Sequence, residues 1–389
     1  MQFELLRPSR AESETLRYPS PQCHRGESGT TVRASRAKPS FLEFFAGSGL
    51  VAQGLSPYFK AIWANDVCAK KAAVYRANHG KSPFSLGSIE DVQGADLPAA
   101  PLAWASFPCQ DLSLAGLSAG IHGQRSGLVW QWLRVIDQMP LRPQVLVAEN
   151  VIGLVSSAGG AHYRTLHSAL TERGYRVGAL MLDAARWLPQ SRPRIFVVAA
   201  RSDLPISRRL VDVRPNWMHT SAVVAAMQGQ PEAVWWKMPE PEGRTSSLES
   251  IVEWDAASDP PDLAERRLAL VPKRHRMLLD AATRIVAPGY RRTRPTGQML
   301  ELRFDGVAGC LRTPEGGSSR QVLVLKDGPR LRTRLLTVRE AARLMGAPDT
   351  YNLPGSYNDG YKAMGDAVAV PVAAHLARHL LLGLVRVAS

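Results

Sequence analysis

Residues 40–50 read Ser-Phe-Leu-Glu-Phe-Phe-Ala-Gly-Ser-Gly-Leu, and this stretch decides the fold. Ser40–Phe45 is a mostly apolar run of strand length, Ala46-Gly47-Ser48-Gly49 is a glycine turn, and a helical pattern begins at Leu50. A strand, a glycine turn and a helix open a nucleotide-binding α/β unit. The glycines let the backbone approach a ligand, and the helix N-terminus presents free N–H groups. A lone Gly-x-Gly is a weak signal, but its surroundings strengthen it. Ala61–Ala64 reads as a second strand with Asp66 just after it, where an acidic residue commonly holds a pair of ribose hydroxyls. The same position also suits the N-cap of a helix over Val67–Asn78.

Further along, Leu102–Ser106 is a buried strand that stops at Pro108, leaving Cys109 at the mouth of the next loop. Free cysteines are most often buried and inert, so Pro108-Cys109-Gln110 alone assigns no role. Residues 111–127 are rich in glycine and serine, as a loop closing over a substrate would be. Leu128–Met139 is helical in pattern, and Val145–Ala148 is another buried strand, ending in Glu149-Asn150-Val151. A carboxylate there lies, like Cys109, on the ligand-binding edge of a parallel sheet; a plain capping glutamate is the alternative. Ala161–Arg173 reads as a helix, Tyr175–Asp183 as a strand and Ile195–Ala200 as one more. Just before the last, Arg192 and Arg194 stand at i, i+2 in extended chain and so face one side, toward the site or toward solvent.

From about Ser202 the alternation of strand and helix is lost, and Pro, Trp and Arg accumulate. The reading therefore divides the chain into a basic tail over 1–38, expected to be disordered, a catalytic and cofactor-binding domain over 39–201, a smaller domain over 202–330 and C-terminal helices over 331–389 that complete the first. Thr337 and Glu340 have capping-box spacing for a helix over Val338–Met345, Gly316–Arg320 suits a turn, and Asp366–Leu382 reads as a last, buried helix.

The net charge of +14 comes from 48 Lys and Arg against 34 Asp and Glu, which favours a polyanionic partner. Four cysteines without metal-like spacing fit a reduced, cytoplasmic protein with no metal site. No long uncharged apolar run predicts a membrane span, and the N-terminus lacks the apolar core of a secretory signal.

Taken together these stretches resemble the DNA (cytosine-5)-methyltransferases of bacterial or phage type. The resemblance is an ordered set: Phe-Phe-Ala-Gly-Ser-Gly (44–49), Pro-Cys-Gln (108–110), Glu-Asn-Val (149–151), Gln-Ser-Arg-Pro-Arg (190–194), the stretch 334–346 and Met-Gly-Asp-Ala-Val (364–368). It implies an α/β fold, a Rossmann-like S-adenosylmethionine-dependent methyltransferase core with a second, smaller target-recognition domain at 202–330. It implies S-adenosylmethionine as cofactor, bound by the loop Phe45, Ala46, Gly47, Ser48 and Gly49, with Phe45, Gly47 and Gly49 on the methionine side, Asp66 on the ribose and Val67 against the adenine. Ser88, Ile89, Asp366, Ala367 and Val368 complete the expected cofactor site. Four positions depart from the family pattern: Leu50 replaces a glycine, Ser88 stands where an Asp commonly reads the adenine amine, and Ala363 and Asp366 stand where Gln and Asn are usual.

The chemistry demands the same residue types. Carbon 5 of cytosine is a poor nucleophile until another nucleophile adds at carbon 6, and a thiolate both adds and leaves readily. Cys109 is the candidate. Glu149 is placed to share a proton with ring nitrogen 3, and Arg194 to hold the base's carbonyl oxygen, with Arg192 and Gln110 in the same catalytic set. The base must be flipped out of the duplex to be reached. The expected partners are double-stranded DNA and a cognate restriction endonuclease in the host, and a monomer without membrane attachment is expected. The alternatives are a tRNA cytosine-5 methyltransferase of the same fold, a non-catalytic DNA-binding relative and, least, a dehydrogenase.

Overall fold

The glycine turn sits at the end of the first strand, an interior strand of a seven-stranded sheet. In a computed structural model of the chain, the described residues are 37–80, 84–108, 127–295, 297–312 and 320–386. The tail to residue 36, Cys109, Gln110, loop residues 111–126 and most of the 316–320 turn lie outside them. The strands are β1 (Ser40–Phe44), β2 (Lys60–Asp66), β3 (Phe84–Leu86), β4 (Leu102–Ala105), β5 (Val145–Asn150), β6 (Tyr175–Asp183) and β7 (Pro193–Arg201). Their order is β3-β2-β1-β4-β5-β7-β6. The first five in that order run parallel, and β7 runs antiparallel to both its neighbours.

Side chains alternate between the two faces. Phe41, Leu102, Trp104 and Val147 enter one apolar core, and Leu42, Phe44, Ala103 and Leu146 enter the other. Both faces are covered, which is why these strands read as near-continuous apolar runs. The strand order reverses between β1 and β4, so the crevice beyond their C-terminal ends is the expected ligand site of such a sheet.

The described residues from Lys38 onward form one compact unit. The loss of alternation after Ser202 is real, but the chain stays on the large sheet for some fifty residues. A minimal pair, β8 (Val211–Asp212) and β9 (Trp235–Trp236), lies there, and Met218, Trp236, Met238 and Leu248 join the main core. The Trp236 indole N–H donates to the Val198 carbonyl at 3.0 Å. Only then comes a separate antiparallel sheet, β10 (Arg284–Arg294), β11 (Gly297–Leu302), β12 (Val322–Asp327) and β13 (Arg330–Leu335), ordered β11-β10-β12-β13. Its own small core includes Leu279, Ala287, Leu300 and Val324.

The capping box at Thr337 and Glu340 is present, starting a helix over Val338–Leu344. The single helix expected over Asp366–Leu382 is not. Asp366 ends one helix, Tyr357–Asp366, and another begins at Val370–Leu376 with a proline in its first turn. Pro371 lacks an N–H and its ring excludes a preceding helical turn, so 367–369 is extended. The stretch Tyr357–Val385 is long and apolar enough to cross a membrane by composition alone, yet Val372, Leu376, Leu380 and Leu381 fill the main core.

Candidate active site

One cavity of about 910 Å³ opens at the C-terminal ends of β1, β2, β4 and β5. Its walls include Phe45, Ala46, Gly47, Ser48, Asp66, Val67, Ser88, Ile89, Asp366, Ala367 and Val368, together with Glu149, Arg192 and Arg194. The structure thus brings together all the sequence candidates among the described residues except Gly49. Cys109 and Gln110 lie outside those residues, but Ser106, Phe107 and Pro108, which lead to them, line the wall.

The half beside β1 and β2 is made mainly of backbone. Phe45 and Gly47 both have φ of 55°. A Cβ on Gly47 would meet only Lys71 Cδ, at 3.9 Å, so the loop's open side faces the cavity. The Asp66 carboxylate accepts from the Gly47 N–H at 2.9 Å and the Cys68 N–H at 2.8 Å. Asp66 is therefore the last residue of β2 and ties the glycine loop to the second strand; it is not the N-cap, which is Cys68. Val67 leaves an apolar side chain 72% exposed on this wall. Ser88 accepts from the Glu90 N–H at 3.2 Å, capping a short turn. Asp366 pairs with Lys71 at 2.6 Å, the local network that its acidic character requires.

Gly49 faces the other way. It is the N-cap of the helix Leu50–Leu55 with φ of 83°, and a Cβ there would lie 2.6 Å from the His79 ring. Its glycine is required by packing behind the loop. Tyr351 also supports that side, its hydroxyl donating to the Ser48 carbonyl at 2.5 Å.

The half beside β4, β5 and β7 is made of charge. Arg194 Nε lies 3.2 Å from Glu149 Oε1, both side chains largely buried. Because β7 is antiparallel, its first residues sit at the same sheet edge as the last residues of β5, with Ile195 opposite Asn150. Arg194, at the start of one strand, thereby meets Glu149 near the end of another, and Arg192 lies just before that strand. The two arginines do different things. Arg192 is 2% exposed, and its Nη2 donates to the carbonyls of Gly365 and Ala367 at 2.8 and 2.7 Å, while its Nη1 reaches Cys310 Sγ at 3.2 Å. Burial, aided by the charge of Arg194, pushes Arg192 down to about 10, so it stays protonated at neutral pH.

Cys310 had no role in the sequence reading, yet it lines this wall between the two guanidinia, with Arg194 Nη2 at 3.9 Å. Burial raises its thiol, but the adjacent Arg192 and Arg194 outweigh burial and hold it below its ordinary value of 9.0. Two asparagines also had no role in the sequence reading. Asn65 donates to the Ser85 and Gly87 carbonyls, both at 3.0 Å, and Asn150 donates to the Phe107 carbonyl at 3.0 Å. Each is a buried amide at a strand end, holding the adjacent loop against the cavity.

The family model for C-5 cytosine-specific DNA methylase matches residues 40–381. The chain belongs to this family. It is a DNA (cytosine-5)-methyltransferase that uses S-adenosylmethionine. It is 25% identical to the type II methyltransferase M.HaeII of Haemophilus aegyptius over 334 residues, covering 85% of this chain and 89% of that one. It is 25% identical to M.HhaI of Haemophilus parahaemolyticus over 345 residues, covering 87% and 93%. Among solved structures, Spodoptera frugiperda DNMT2 shares the fold with a TM-score of 0.58 at 19% identity, covering 88% of this chain and 99% of that one. The backbone half of the cavity fits the cofactor this C-5 methylase uses. It offers open space at Gly47 and Gly87, a carboxylate at Asp66 and an exposed apolar face at Val67.

Proposed function

We propose that the protein methylates cytosine within one short recurring sequence of double-stranded DNA, with Cys109 as nucleophile, Glu149 as acid and Arg194 as carbonyl clamp. The observation that carries this reading is the Glu149–Arg194 pair, set on the same cavity as the glycine loop and as Pro108, the residue before Cys109. S-adenosylmethionine, when bound along Phe45–Ser48, Asp66, Val67, Ser88, Ile89 and Asp366–Val368, supplies the methyl group.

The remaining work falls to side chains of this chain. The Cys109 thiolate adds to carbon 6 of the flipped base, and negative charge spreads toward ring nitrogen 3. Glu149 meets that nitrogen with a proton, and Arg194 holds both Glu149 and the base's carbonyl oxygen. Carbon 5 takes the methyl group, a base removes its hydrogen and the thiolate departs. Arg192, tied to Gly365, Ala367 and Cys310, positions Arg194's strand against the C-terminal helices.

In this reading the antiparallel sheet β10–β13 forms the target-recognition domain, reading base edges with some of its arginines. A cognate restriction endonuclease, a monomeric state and a cytoplasmic location belong to the same reading, since the relatives M.HaeII and M.HhaI are named type II methyltransferases. The test is labelled methyl transfer to unmethylated duplex DNA and to tRNA, with the product nucleoside identified. The reading expects 5-methylcytosine in duplex DNA. Transfer to tRNA alone contradicts it.

A further inference from the structure

We propose that Arg312, held over the ring of Tyr290 at the rim of the catalytic half, binds a backbone phosphate of the strand whose cytosine enters the cavity. The inference rests on the reading of duplex DNA as substrate and names a contact that the chemistry itself does not require.

Arg312 lines the cavity yet is exposed, so its side chain stands at the mouth. Its guanidinium lies 5.4 Å from the Tyr290 ring centroid, and among the described residues it meets no carboxylate. Arg192 and Arg194, deeper in, are engaged with carbonyls, Cys310 and Glu149. Arg312 also projects from pinned backbone. The Tyr290 hydroxyl donates to the Cys310 carbonyl at 2.5 Å, and the Leu311 N–H donates to Gln190 Oε1 at 3.3 Å. A stacked guanidinium keeps its planar fork free to grip two oxygens of one anion. A flipped nucleotide takes its base into the pocket and leaves its phosphates at the rim, so the nearest anion to such a fork is a backbone phosphate.

The experiment measures equilibrium binding of sheared unmethylated genomic duplex at roughly 50 to 200 mM KCl, for the wild type, Arg312→Ala, Arg312→Lys and Tyr290→Phe, beside calorimetric S-adenosylmethionine binding. Arg312→Ala is expected to weaken duplex binding about tenfold and to lower the log–log salt slope by about one. Arg312→Lys keeps the slope but recovers only part of the affinity, since an ammonium is not a fork. Tyr290→Phe weakens binding less than Arg312→Ala, with the slope kept. An unchanged slope in Arg312→Ala overturns the proposal, and so does a loss of cofactor affinity in place of duplex affinity, which would make the cofactor's carboxylate the anion. Binding is read without turnover, so a wild type that binds duplex but methylates none defeats the functional reading separately.

Discussion

The two halves of the cavity are built by different means. Beside β1 and β2, the wall is backbone, shaped by a left-handed turn and fastened by one carboxylate, Asp66, to two N–H groups. Beside β4, β5 and β7, the wall is side-chain charge, in which Glu149, Arg192, Arg194 and Cys310 arrive from segments far apart in the chain. A backbone-built wall tolerates change in its side chains but not in its glycines. A charge-built wall is the reverse: each member holds its neighbours' positions, so single changes propagate.

The largest effect expected from a described residue is at the charged wall. Glu149→Gln keeps the size and loses the proton, and kcat is expected to fall by about 10³-fold while cofactor affinity is kept. Steady-state kinetics with duplex substrate check this, and a loss below tenfold removes Glu149 as the acid.

The two arginines, alike in sequence, should then part company. Arg194→Lys is expected to lower kcat by about 10²-fold with a small change in thermal midpoint. Arg192→Lys should instead cost about 3 kcal/mol of stability, because it strips buried carbonyls of Gly365 and Ala367 of their donor. Denaturant titration beside kinetics separates them, and equal profiles for both variants would erase the distinction.

On the backbone wall the contrast lies between front and back of one loop. Gly47→Ala places a methyl group in the open cavity and is expected to weaken S-adenosylmethionine binding about tenfold, with a stability cost of about 1 kcal/mol for the left-handed residue. Gly49→Ala drives a Cβ against His79, so its cost should appear in the thermal midpoint first. If Gly49→Ala lost only cofactor affinity, that glycine would belong to the front of the loop after all.

The smallest effect reads the field of the two guanidinia. The Cys310 thiol lies below 9.0 in the folded protein, so the unfolded chain holds that proton more tightly. The thiolate's stabilising contribution is therefore gained as pH rises toward 9.0 and lost as pH falls through the lowered value. In a Cys109→Ser background, the pH profile of Cys310 alkylation should have its midpoint below 9.0 and move upward on Arg194→Ala. A midpoint at or above 9.0 would mean the arginines do not act on it.

How much of this was legible follows from the same contrast. The backbone wall is local: strand, glycine turn, helix and Asp66 fall within 27 residues, and propensity and spacing reveal them. Even there the reason for Gly49 was hidden, because His79 lies on the next helix and only packing brings it behind the turn. The charged wall is non-local. Cys310 is 118 positions from Arg192 and 116 from Arg194. No spacing rule joins residues so far apart. The arginines reach the ligand edge because β7 runs antiparallel, a fact of sheet pairing that its apolar run does not encode. The break at 367–369, which turns Asp366–Val368 toward the cavity, needed Pro371 to be weighed against an otherwise helical pattern. The family resemblance bridged these gaps where local physics could not.

The central claim is that Cys109 drives methylation of carbon 5 of cytosine in duplex DNA. Its most direct test is to express the wild type and Cys109→Ser in a host without cytosine methylation and to sequence the host DNA with bisulfite conversion. 5-Methylcytosine is expected at one recurring short sequence with the wild type and none with Cys109→Ser, although the variant still binds duplex DNA. Equal methylation by the two proteins would contradict that claim.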